Sequence, residues 1–397
     1  MGNSIRDINL RRNSAGQYGL LLGVALATLL GSAVLVWRLT ALPVGVGDFR
    51  AYWSASRLLL EGRNFYDPDN MLEMERAHVD PEQDFTMMAW NLPATFVFIL
   101  PLAWVPFQIA KSIWLLVNLT LILLSCLLLG SVYLPPGRAP LLTYNLMAVF
   151  FAPVLVAILI GQITFLVVFG LAASIALIQR ERYFWAGVAL ILTSVKPHLV
   201  MLIGPYLLLY MALRRKWSGW LGLGVAGAIC AATLFILRPG WATDFQGLLS
   251  IAPVNWATPT LGGFLATYGI GSWSRYLVFA FLPLVLIFLR PASRISLETA
   301  ASVLVLVTIP TTFFGWSYDQ SLLLAPMAQI IGRLFASLRS GGRWATIAAM
   351  VLAMTLNMAQ RIIATDEVYY VWVPIAWGAI YALAFWLANR RRDALQR

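Results

Sequence analysis

Residues 91–107 read NLPATFVFILPLAWVPF, an apolar run interrupted by Pro93, Pro101 and Pro106. Whether this run crosses a bilayer sets the sidedness of everything that follows it. It is shorter than the ~20 residues a spanning helix needs, and each proline removes a backbone donor and works against a continuous helix. Longer apolar runs flank it, near 18–41 and 109–133. More follow near 140–160, 162–179, 183–197, 198–213, 217–237, 273–290, 296–315, 318–336, 344–363 and 368–389. With 60% hydrophobic and 11% charged residues in 397, and a mean hydropathy of +0.78, the chain carries more apolar surface than one soluble core could bury. Lipid is its expected solvent.

The distribution of Lys and Arg decides how 91–107 is used, because these residues accumulate in short cytoplasmic loops. If the run dips into the outer leaflet and returns, eighteen of the 28 Lys and Arg fall inside, among them Arg6, Arg11, Arg12, Arg180, Arg182, Arg214, Arg215 and Lys216. If it crosses, later loops flip and only eight remain inside. The expected fold is therefore an all-α polytopic membrane protein of about twelve transmembrane helices, a single domain over 1–397. Both termini are cytoplasmic, and 91–107 is a re-entrant outer-leaflet segment. Re-entrant backbone is tolerated at membrane depth where protein or a wet cavity covers it, so this segment is expected to line one. The N-terminal apolar stretch is long enough to span and lacks a small-residue cleavage site, which marks an anchor rather than a secretory signal.

Composition also excludes other classes. The net charge of +11 is accounted for by topology, and no basic run with interleaved aromatics suggests a nucleic-acid groove. Cys126 and Cys230 lie in separate apolar runs, which suggests neither a disulfide framework nor a metal knuckle. No His or Cys accompanies the acids at ligand spacing, so no metal and no cofactor is expected. The 16 Trp suit helix ends at headgroup level.

The first outer loop, residues 42–90, holds nine acids from Asp48 to Asp84. Within it, Asp48-Phe49-Arg50-Ala51-Tyr52-Trp53 through Leu60-Glu61-Gly62 predicts a helix over 49–61, with Asp48 as N-cap and Gly62 as the left-handed stop. Its aromatic spacing predicts a helix lying in the interface plane. The acids of 67–84 read mostly as a solvated face. A second outer loop, 238–272, is expected to be structured. Three polar turns share the outer side with Asp48: Gly161-Gln162, Ser194-Val195-Lys196-Pro197-His198 and Trp316-Ser317-Tyr318-Asp319-Gln320. Ionisable side chains beside apolar spans cost a few kcal/mol unless they face a cavity, so these turns stand out.

Gly-Asp-Phe-x-x-Tyr-Trp-x-Ala at 47–55, Phe65-Tyr66-Asp67, Gly161-Gln162, Lys196-Pro197 and Ser317-Tyr318-Asp319, in this order, resemble glycosyltransferase family 87 (GT87), over roughly residues 10–335. That family includes the polyprenyl-phosphate-mannose-dependent mannosyltransferases. The resemblance implies a GT-C-type fold, a lipid phosphosugar donor and Asp48 as the catalytic carboxylate of the first loop. This chain differs from the family pattern at Leu92-Pro93-Ala94, where relatives usually carry Tyr-Pro-Pro, and at Gln320, where many carry His.

The chemistry assigns roles to these residues. A polyprenyl phosphate departs as an acidic group and needs no general acid, so one base, Asp48, suffices to take the acceptor hydroxyl's proton. A cation must meet the developing phosphate charge, and Lys196 is assigned there with Arg50 and His198 in support. Tyr52, Gln162, Tyr318, Asp319 and Gln320 complete the expected substrate site, and one displacement predicts inversion. Each has a structural alternative: Asp48 as a cap alone, Lys196 as a snorkelling helix-end lysine, Asp319 as a paired bundle acid. The expected function is transfer of a hexose, mannose by the resemblance, from a polyprenyl-phosphate donor to a lipid or glycan acceptor. It takes place at the extracytoplasmic face of the plasma (inner) membrane, in the cell envelope. A flippase, transporter or polymerase of lipid-linked glycans is the alternative. The absence of an internal repeat and the one-sided clustering of polar turns favour the enzyme.

Overall fold

The structure, a computed structural model, describes residues 47–252, 256–290, 293, 295–337, 340–363 and 365–396. The expected first span at 18–41 and its three preceding arginines lie outside the described residues. Among the described residues all regular structure is helical. Five helices are long and apolar enough to cross a membrane: Phe107–Tyr133, Ser218–Leu237, Ser272–Leu289, Gly342–Ile363 and Glu367–Asn389. A sixth results if Arg138–Val149 and Ala152–Leu159, which meet at a 52° bend, count as one span. The cause of the bend is Pro153, whose ring cannot sit against the carbonyl four residues back, at Val149. The protein is thus a multi-pass membrane protein.

Other apolar runs form shorter helices. The run at 183–197 is an α-helix, Tyr183–Leu190, that tightens into a 3-10 turn, Ile191–Val195. Pro197 ends it, since proline drives the residue before it out of the helical region. Lys196 accordingly has φ −144° and ψ 71°. The run at 318–336 likewise opens as a 3-10 turn, Ser317–Leu323, before Leu324–Ser337.

Residues 91–107 fold as one ten-residue helix, Ala94–Ala103, with Pro101 in its last turn. The carbonyls at its C-terminal end are met by the helix Gly47–Leu60. Trp53 Nε1 donates to the Leu102 and Val105 carbonyls at 3.1 and 3.3 Å, and Arg57 Nη1 to the Ala103 carbonyl at 3.0 Å. Ser56 Oγ adds a bond to the Phe96 carbonyl. Trp53 and Arg57 thus supply donors to carbonyls that the helix end leaves open.

One expectation for the first loop needs correction. The helix begins at Gly47, so Asp48 lies in its first turn, and its carboxylate accepts from a side chain of another segment instead of capping. Phe49, Tyr52, Trp53, Ala55, Leu58 and Leu59 of this helix point to different sides and all are buried, because Ala94–Ala103 and Pro68–His78 pack over it. The acids of 67–84 are mostly solvated, as expected: Asp69, Glu73, Asp80, Glu82 and Asp84 are exposed. Glu75 is fully buried, and Asp67 caps Pro68–His78 by accepting from the Asp69 and Asn70 amides. Gly62 does end the first helix, at φ +67°, with the Arg63 amide returning to the Leu58 carbonyl at 2.9 Å. Arg238 pairs with Asp244 at 2.8 Å and donates to the Gly62 carbonyl, tying the segment that follows Ser218–Leu237 to the end of the first helix.

Close helix contact is made by glycines where Tyr183–Leu190 meets Ser218–Leu237. A Cβ at Gly187 would lie 1.8 Å from the Gly219 carbonyl oxygen, and one at Gly222 would lie 2.0 Å from that of Phe184. In lipid, where apolar association gains nothing from water, such close approach is what holds helices together.

Candidate active site

Four segments distant in sequence converge on one buried polar cluster. Asp48 comes from the first turn of Gly47–Leu60, and its amide donates to the Ile160 carbonyl at 3.1 Å. Gln162 follows the helix Ala152–Leu159. Gly161, at φ +68°, makes the left-handed turn there, and the Gln162 amide returns to the Ala157 carbonyl at 2.9 Å. Trp114 Nε1 clamps the same turn through the Gly161 carbonyl at 2.8 Å. Lys196 projects from the break imposed by Pro197, and Asp319 from the 3-10 turn after Trp316.

The ammonium of Lys196 is the hub. It donates to Asp319 Oδ1 at 2.7 Å, to Gln162 Oε1 at 3.0 Å and to Thr164 Oγ1 at 3.0 Å. It also lies 4.6 Å from the centre of the Tyr318 ring, within cation–π range. Side-chain exposure is 7% for Lys196 and 2% for Asp319, so this is a buried ion pair and not a snorkelling lysine. Asp319 is otherwise satisfied: Thr164 Oγ1 donates to Oδ1 at 2.6 Å and the Trp316 amide to Oδ2 at 2.9 Å. Gln162 bridges the pair to Asp48. Its Nε2 donates to Asp48 Oδ2, and its Oε1 also accepts from the Tyr52 hydroxyl at 3.1 Å.

Asp48 is partly exposed and is the carboxylate of the cluster without a direct cation. Burial raises its carboxyl above the ordinary Asp value of 3.8, opposed by the field of Lys196 and the Gln162 hydrogen bond. A carboxylate whose affinity for protons is raised, yet which remains reachable, suits proton abstraction.

The remaining expected residues divide. Tyr52, Gln162, Tyr318 and Asp319 join the cluster. Arg50 does not reach Lys196: its Nε donates to the Gly47 carbonyl at 3.1 Å and its Nη1 to Gln83 Oε1 at 2.7 Å. The contact that fixes His198 in place is made by its backbone carbonyl, which accepts from Thr312 Oγ1 at 2.8 Å. Gln320 turns toward the Tyr370 carbonyl at 3.0 Å, away from Lys196. Sequence reasoning missed Thr164, though a hydroxyl two positions after Gln162 at the head of an apolar helix was a usable signal. It also missed Glu367, which accepts from the Ser317 amide and hydroxyl, both at 3.0 Å, and pairs with Arg361. Among the described residues no three His, Cys, Asp or Glu are grouped to hold a metal.

An all-helical multi-pass membrane protein with a buried acid–amine cluster fed by an accessible carboxylate is the class that fold and site define. The description "Glycosyltransferase family 87" matches residues 92–309, more than half of the chain. The chain belongs to glycosyltransferase family 87. No curated protein matches. Among solved structures it is similar to ArnT from Cupriavidus metallidurans bound to undecaprenyl phosphate, at 14% identity over 93% of this chain and 78% of that one. The TM-score is 0.39, too low to equate the two folds.

Proposed function

We propose that this chain transfers a hexose from a polyprenyl-phosphate donor to a lipid or glycan acceptor at the extracytoplasmic face, with Asp48 as base. The observation that carries the reading is the convergence of Asp48, Gln162, Lys196 and Asp319, four residues from four distant segments, within one hydrogen-bonded cluster. A packing role would not need an accessible carboxylate beside a buried ammonium. In the reaction, the acceptor oxygen bonds to the anomeric carbon as the bond from that carbon to the phosphate oxygen breaks. The acceptor proton passes to Asp48, and the lipid phosphate departs with its electron pair. One displacement inverts the anomeric centre.

Lys196 has one charge, and Asp319 holds it at 2.7 Å. Its proposed contribution to the leaving phosphate therefore comes from an ammonium fixed in place before substrate arrives, so that little reorganisation is needed during reaction. Gln162 orients Asp48, and Tyr52 orients Gln162. The sidedness rests on the Lys and Arg distribution, which keeps the Asp48, Gln162, Lys196 and Asp319 turns on one face. The twelve-span topology with a re-entrant 91–107 belongs to the same proposal. Mannose is the sugar the family resemblance favours.

The test is incubation of purified protein with radiolabelled polyprenyl-phosphate mannose or glucose and a membrane lipid extract. Transfer of label from one of the donors, lost in Asp48→Asn, is the expected result. Absence of transfer from either donor by a folded wild-type protein would overturn the donor assignment.

A further inference from the structure

Beside the cluster stands a row of aromatic rings drawn from three separate segments. Trp90, from the end of the first outer loop, meets Trp256 edge to face at 5.8 Å and 87°. Trp256, from the second outer loop, meets Trp316 at 5.6 Å and 60°. Trp316 lies nearly parallel to Tyr318 at 6.4 Å, and Tyr318 carries the Lys196 ammonium over its ring. The row therefore starts at the proposed reacting centre and runs outward along the loops.

These tryptophans differ from those expected at a lipid interface. Trp104, Trp185, Trp217, Trp273 and Trp344 are 59–70% exposed, as rings in a headgroup belt should be. Trp90, Trp256 and Trp316 are partly buried against one another. Among the described residues none of their indole N–H groups donates a hydrogen bond, and none is sealed from the surface. Partly open aromatic faces with free N–H donors present the two things a pyranose ring uses, an apolar C–H face and hydroxyl acceptors.

Trp256 is also held from behind. Arg275, only 6% exposed, donates through Nη2 to the Trp256 carbonyl, while its Nε and Nη1 make no hydrogen bond and its guanidinium lies over the Phe314 ring at 5.3 Å. That bond fixes the backbone of the middle residue of the row.

We propose that Trp90, Trp256 and Trp316 form a stacking wall that seats an acceptor glycan of two or more pyranose units, its reacting end toward Asp48. The two ring-to-ring steps between them, 5.8 and 5.6 Å, extend beyond what a single pyranose can cover. The position of the reacting end rests on the proposed function; the saccharide binding itself does not.

The test uses full-length protein in lipid nanodiscs and two probe series, manno-oligosaccharides and cello-oligosaccharides of one to four units, titrated by calorimetry without donor. In at least one series, affinity should rise about tenfold from monomer to trimer, near the value of one well-made aromatic contact. Trp256→Ala and, from a different segment, Trp90→Ala should each flatten that rise, while Trp256→Phe keeps most of it and Trp273→Ala leaves it intact. Length-independent binding, no binding in either series, or an undiminished rise in properly folded Trp256→Ala and Trp90→Ala would overturn the proposal. Since no donor is present, failure here is separate from failure of the donor assignment, which the transfer assay reads alone.

Discussion

Replacing Lys196 by Met keeps most of the side-chain stem and deletes the ammonium, and with it three hydrogen bonds. Asp319, with a side chain 2% exposed, then keeps only the Thr164 hydroxyl and the Trp316 amide as donors. Breaking a buried pair by removing one partner costs about 3–5 kcal/mol, because the other charge stays buried and uncompensated. The double replacement, Lys196→Met with Asp319→Asn, removes both charges, and the amide oxygen can accept from the Trp316 amide while the NH2 donates to the Thr164 hydroxyl oxygen that Lys196 no longer occupies. It should recover about 2 kcal/mol of the loss, so the double variant melts above the single one. Cys126 and Cys230 are both buried and free, and a thiol-reactive dye reports their exposure during thermal unfolding in detergent. A Lys196→Met protein melting within about 1 °C of wild type, or a double variant less stable than the single, would refute the pairing energetics.

Further outcomes follow from the geometry. Gly222→Leu should lower the melting temperature markedly, since even a Cβ there meets the Phe184 carbonyl at 2.0 Å and relief requires the helices to separate, at about 1–3 kcal/mol or more. Gly224→Ala, with nothing within 4 Å, should leave it unchanged or raise it. Burial pushes the Glu75 carboxyl up from 4.5 to about 7, so between those values the folded state holds a proton that the unfolded chain releases. Stability conferred by that proton is lost as pH rises across the window, and Glu75→Gln should melt higher than wild type at pH 8 with no such gain at pH 5. Because burial also raises Asp48, the acid limb of the kcat/KM profile should lie above 3.8, and a limb at or below that value would contradict Asp48 as base.

Much of the fold was legible because the signals were local. Apolar runs marked the helices, Gly62 marked a helix end, and Pro197 after Lys196 marked the break that turns the ammonium inward. The site was legible as a set of turns, because Gln162, Lys196 and Asp319 are polar residues where apolar ones were expected. Their connectivity was not. That Lys196 is bound to Asp319, that Gln162 joins Lys196 to Asp48, and that Arg50 turns to Gln83 depends on which segments pack together, and no local pattern encodes this. The same holds for Glu75, whose burial comes from the covering of Pro68–His78, and for the first helix. Its residues are buried on several sides because Ala94–Ala103 and Pro68–His78 pack over it. Thr164 was overlooked because one hydroxyl at the head of an apolar helix resembles an ordinary helix start.

The central claim is that Asp48 accepts the acceptor's proton. Asp48→Asn preserves the shape of the side chain, and its amide oxygen can still accept from Gln162, but it cannot take a proton at neutral pH. The decisive measurement is the single-turnover rate of sugar transfer by Asp48→Asn, in purified protein matched to wild type in melting temperature and donor binding. The account predicts a fall of about 10²-fold or more with donor affinity retained; transfer at close to the wild-type rate would contradict it.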